Sequence, residues 1–105
     1  MFFLMECRHH PGKDADRDAA RPAHRDWVRS GGDGRASVLI GSALWDAAGT
    51  AIGHWGVLEA ATEAEARAFA EGDPFVTTGI VAETTLTRLA DTFQAARISE
   101  RMTKD

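Results

Sequence analysis

The sequence predicts a single α+β domain of order β-α-β-β-α-β, a four-stranded antiparallel sheet with both helices on one face. Three observations carry this. Four short apolar runs have strand length. Two longer segments have helical spacing and helix-start chemistry. Clusters of Gly, Asp and Pro separate them. A chain of 105 residues sets the scale at one domain. We assign residues 1–90 to that domain and residues 91–105 to a C-terminal tail.

The first strand is read over Phe2 to Cys7. Phe3, Met5 and Cys7 alternate onto one face and Phe2 and Leu4 onto the other, so both faces need cover. Arg8 to Asp18 reads as an irregular polar stretch, with a turn at His9-His10-Pro11-Gly12. A helix is expected from about Ala19 or Arg21 to Ser30, with Pro22 in its first turn, where a missing N–H is harmless. Ala20, His24, Trp27 and Val28 share one face of it. Gly31 to Gly34 ends it. Ser37 to Leu44 and Ile52 to Ala60 read as the second and third strands, joined by a turn at Asp46 to Gly49. Gly53 and Gly56 suggest a bulge or a close backbone approach. Thr62 and Glu65 have capping-box spacing and open a helix that runs to Glu71. Ile80 to Leu89 is the fourth strand. The tail is polar, with a helical turn expected over Phe93 to Ile98 and fraying at its end.

This order is the ferredoxin-like split unit. Its helices cover one sheet face only, yet the first three strands are apolar on both sides. An open apolar sheet face usually marks an interface. We therefore expect a homodimer packed sheet to sheet. The alternative is a monomer whose tail folds across the sheet.

Composition narrows the partners. The net charge is −4 at pH 7, and the arginines are interspersed with acids. No basic face is available for nucleic acid or an anionic membrane. No apolar run approaches membrane-spanning length, and Met1 to Met5 is too short for a signal-peptide core. The single cysteine, Cys7, cannot form an internal disulfide, which points to a cytoplasmic location.

The chemistry concentrates at two places. Asp73 follows Gly72, read as a helix-stop glycine, and precedes Pro74, which pushes it into an extended conformation. That presents its carboxylate from a fixed elbow. His24 lies near the expected helix start, on the face shared with Trp27 and Val28. Together they would form a carboxylate–histidine pair, sufficient for proton transfer. Either residue has a plainer reading, His24 as a hydrogen-bonded core histidine and Asp73 as a turn aspartate bonded to its own backbone. His9 and His10, adjacent on a loop, lack the spacing that aims two nitrogens at one metal, so no metal site is assigned. Cys7 reads as a buried small hydrophobe. Trp27, Trp45 and Trp55 read as core or interface.

Four pieces of the chain resemble the YciI-like, or YCII-related domain, family of the dimeric α/β-barrel group. They are Arg21-Pro22-Ala23-His24, Gly41-Ser42-Ala43-Leu44, the capped helix with its Glu-Ala repeats, and Asp73-Pro74-Phe75 followed by Gly79. The likeness covers residues 21–89. It departs from the family where Gly41-Ser42 replaces a Gly-Pro, and in the length of Gly31 to Arg35. The resemblance implies a dimer with a cleft between the first helix and the sheet. It also implies a His/Asp pair, here His24 and Asp73. Relatives such as muconolactone isomerases and a dehydrochlorinase of a chlorinated hydroxyquinol imply proton transfer on small ring compounds without a cofactor. On this reading His24 is the base, Asp73 orients it, and Arg21, Ser42 and Phe75 contact the substrate. A non-catalytic small-ligand or accessory domain, and a module binding another protein through the open sheet face, are the alternatives.

Overall fold

The computed structural model describes residues 1–104. The chain runs β1 (Phe2–His9), α1 (Asp14–Gly34), β2 (Ser37–Trp45), β3 (Ala51–Glu59), α2 (Glu63–Gly72), α3 (Pro74–Thr77) and β4 (Val81–Arg88). The strands form one antiparallel sheet in the order β2-β3-β1-β4. The ferredoxin-like α+β architecture expected from the sequence is the architecture observed, with α3 as an added short turn.

The core lies between the helices and one sheet face. Phe3, Met5 and Cys7 alternate onto that face and are buried, with Val38 and Leu58 beside them. Ala66, Phe69 and Ala70 of α2 close it from above. Thr62 caps α2, its hydroxyl accepting from the Glu65 amide at 3.1 Å, which satisfies one of the free donors at the helix start.

The first helix starts earlier than expected. It begins at Asp14, and β1 extends to His9, so little of the stretch from Arg8 to Asp18 is irregular. Asp14 and Asp16 occupy the first turn, where carboxylates complement the positive helix end. Pro22 therefore sits inside the helix. It removes one backbone hydrogen bond there, and the packed face of the helix compensates. The regular helix does end near Ser30, because Gly31, Gly32 and Asp33 turn left-handed with φ of 63°, 64° and 59°.

Gly72 has a different role from the one its position suggests. It is not left-handed. A Cβ there would lie 2.5 Å from the Trp27 ring, so its bare Cα lets α1 and α2 pack together. Gly53 is a close approach, its Cβ position lying 2.3 Å from the Cys7 carbonyl oxygen. The β2–β3 ladder has two irregularities, one leaving Leu39 of β2 unpaired between Val38 and Ile40, the other leaving Ile52 of β3 unpaired beside Gly53.

The tail is anchored. Phe93 packs against Phe2, with 5.3 Å between ring centroids, and a 3-10 turn spans Ala95–Arg97 in place of a longer helix. Arg101 bonds Ser37 and Glu59. The Thr103 hydroxyl accepts from the Val38 amide and donates to the Val28 carbonyl, both at 2.8 Å. Lys104 N donates to the Arg29 carbonyl. The tail thus ties β2 to α1 at one end of the sheet. The fraying expected at Asp105 lies outside the described residues. Among the described residues no helix is long and apolar enough to cross a membrane.

Candidate functional site

A cleft of about 390 Å³ opens between α1 and the β2–β3 half of the sheet. That volume falls in the range of small-molecule sites. His24 and Asp73 meet in its wall. The His24 Nδ1 lies 2.8 and 2.9 Å from the two carboxylate oxygens of Asp73. Asp73 is 2% exposed, so the ion partner sits out of water while the imidazole faces the cleft. His24 Nε2 makes no hydrogen bond to any described residue and is not buried.

The elbow holds Asp73 as the local sequence dictates. Its backbone is extended, with φ −59° and ψ 133°, as a residue before proline prefers. One carboxylate oxygen also accepts from the Phe75 amide at 2.8 Å and so caps α3. The two readings of Asp73, turn aspartate and partner of His24, hold together in one side chain. Phe75 is buried and lies flat under His24, with rings 4.1 Å apart and 3° from parallel. It fixes the plane of the imidazole.

Arg21 lines the cleft, with a bond to Asp18 at 2.6 Å. Ser42 lines the wall on β2, its hydroxyl donating to the Ala43 carbonyl at 3.0 Å. Ser42 pairs with Trp55 and Ala43 with His54, so the Ser42 side chain alternates to the sheet face opposite His54 and the His24–Asp73 pair. Trp45 stands at the cleft, 68% exposed, whereas Trp27 packs inward on Phe69 and donates to its carbonyl.

Three residues join the site without having been read from the sequence as part of it. His9 Nε2 lies 2.7 Å from His54 Nδ1. Arg17, 6% exposed, reaches the His9 Nδ1 at 3.3 Å and pairs with Asp14. His54 Nε2 lies 3.8 Å from the nearer Asp73 oxygen. The β1–β4 ladder is irregular beside this cluster, where Arg8 pairs with Glu83 and His9 with Val81, leaving Ala82 of β4 unpaired. Strand alternation contained the signal for two of them. His54 shares its face with Leu58, and His9 extends the series Phe3, Met5, Cys7. Arg17 lies seven residues before His24 on the same helix face, but the late helix start concealed it.

Burial drives the electrostatics. It pushes His54 down to about 4 against the pull of Asp73, and His24 and His9 push the same way. Burial, then the Arg17 guanidinium, also take His9 down to about 4. Both imidazoles are therefore neutral near pH 7. Burial raises the Cys7 thiol to about 11, with the Thr84 hydroxyl opposing, so it is not a nucleophile. Among the described residues, no three His, Cys, Asp or Glu side chains converge in a way that would hold a metal ion.

The model of the YCII-related domain family matches residues 1–90 of this sequence. The chain belongs to the YCII-related domain family. A solved structure similar to this YCII-related protein is 5-chloro-2-hydroxyhydroquinone dehydrochlorinase from Burkholderia phenoliruptrix, in complex with 2,5-dihydroxybenzoquinone. The two share 24% identity at a TM-score of 0.74, over 86% of this chain and 94% of the other. At that identity the likeness establishes the fold of the YCII-related chain. None of the curated proteins compared matches it.

Proposed function

We propose that this protein catalyses proton transfer on a small metabolite, as an isomerase or a lyase, with His24 as the base and Asp73 as its orienter. The observation that carries the reading is the His24 Nδ1–Asp73 contact of 2.8 Å in the cleft wall, with Nε2 left open. Asp73 holds the neutral ring with its proton on Nδ1, so the Nε2 lone pair faces the substrate. Nε2 takes a proton from a carbon or hydroxyl of the substrate. In isomerisation the electron pair moves into the adjacent double bond and Nε2, open to the cleft and exchanging its proton with solvent, returns a proton at another atom. In elimination the pair forms a new double bond and the leaving group departs with its own pair. Asp73 stabilises the imidazolium in either case, and no cofactor is required.

The dehydrochlorinase neighbour and its dihydroxybenzoquinone ligand support small oxygenated ring compounds as the first substrates to try. Arg21 is the proposed contact for an anionic or carbonyl group, and Phe75 supports the base from beneath. A homodimer through the open sheet face is part of the proposal, supported by Ile40, 45% exposed on β2. The lone buried thiol fits a cytoplasmic location.

The test is turnover of a panel of hydroxyquinols, quinones and unsaturated lactones by purified protein. Turnover that His24→Ala abolishes without lowering the Tm supports the reading. Ligand binding without turnover across the panel contradicts it and favours a small-ligand-binding domain.

A further inference from the structure

One buried nitrogen is left over. His54 Nε2 has no hydrogen-bond partner among the described residues, in a side chain 8% exposed. Its nearest acceptor is the Asp73 carboxylate, 3.8 Å away. Buried polar atoms without partners are rare in folded proteins and call for an explanation.

Donor logic supplies one. A guanidinium has donors only. Arg17, at 3.3 Å from His9 Nδ1, therefore makes that nitrogen the acceptor. A neutral His9 then carries its proton on Nε2 and donates it across 2.7 Å to His54 Nδ1. A neutral His54 must in turn carry its proton on Nε2, pointing at Asp73. The reverse order fails twice. It would set a His9 N–H against the Arg17 donors, and it would set a His54 lone pair against the carboxylate. Burial keeps both rings in the neutral form this requires.

We infer that Arg17, His9 and His54 form a one-way donor chain ending on Asp73, and that His9 and His54 are positioning residues for the His24–Asp73 pair. The chain surrounds the buried carboxylate with donors: the Phe75 amide, His24 Nδ1–H and His54 Nε2–H. Donors aimed at a carboxylate fix its orientation. The anion in turn keeps the proton of neutral His24 on Nδ1, with Nε2 toward the cleft. The inference rests on the proposed role of that pair.

Long-range ¹⁵N–¹H spectra of the histidine rings in uniformly labelled protein near pH 7 test it, with no substrate needed. The expected result is Nε2–H for His9 and His54 and Nδ1–H for neutral His24. In His9→Leu, His54 loses its preference for Nε2–H. In His9→Gln an amide donor replaces the ring N–H, and the preference returns. Nδ1–H at His54 in the parent protein, or no change at His54 in His9→Leu, overturns the chain. If His9→Leu does not fold, the parent spectrum decides. Nε2–H at His24 would instead overturn the pair itself, so the two failures are distinguishable.

Discussion

Lowering the pH should destabilise this protein through His54. Burial places the His54 pKa at about 4 in the folded chain, against the ordinary 6.5. Between those values the unfolded chain binds a proton that the folded chain refuses. The contribution is intact above pH 6.5, shrinks as pH falls, and is spent below pH 4. A shift of this size corresponds to about 3 kcal/mol at ~1.4 kcal/mol per unit. His9, also lowered to about 4 but more open to solvent, adds a smaller amount of the same sign. Against a total stability of about 5–15 kcal/mol, the loss is large. Urea unfolding of parent and His54→Gln at several pH values between 7 and 4 measures it. The parent should lose about 3 kcal/mol more than the variant, with unchanged denaturant slope. Equal losses in the two proteins would refute the burial argument for His54.

Three further outcomes follow from the geometry. Asp73→Asn replaces an acceptor facing His24 with a mixed amide, which disturbs the tautomer and should cut turnover by about 10²–10⁴-fold in steady-state assays. Gly72→Ala drives a methyl to within 2.5 Å of the Trp27 ring and should cost about 1–3 kcal/mol in urea unfolding. Thr103→Val leaves the Val38 amide and the Val28 carbonyl without their bridging hydroxyl and should cost about 1–3 kcal/mol in the same assay.

Local signals determined most of the fold. The alternation of Phe3, Met5 and Cys7, the Thr62 cap and the glycine cluster after Ser30 each depend on a few neighbouring residues, and each appears where expected. The start of α1 did not, because Pro22 is a strong first-turn signal while the stabilising Asp14 and Asp16 look like loop residues. Of the site, Asp73 is legible from its Gly72–Pro74 elbow and His24 from the face it shares with Trp27 and Val28, and the family resemblance pairs them; the helix start expected near His24 lies at Asp14 instead. His9, His54 and Arg17 come together through strand register and helix placement. Register is set by pairing between distant segments, so a strand histidine read alone does not reveal its neighbours. Gly72 shows the same limit, since its need for a bare Cα comes from Trp27 on another helix.

The central claim is that His24 moves a substrate proton. Incorporation of deuterium from D2O into a bound hydroxyquinol or lactone, followed by NMR, tests it most directly. Exchange at a substrate carbon by the parent, lost in a folded His24→Gln variant, is the predicted result. Exchange that persists at the parent rate in His24→Gln would contradict the account.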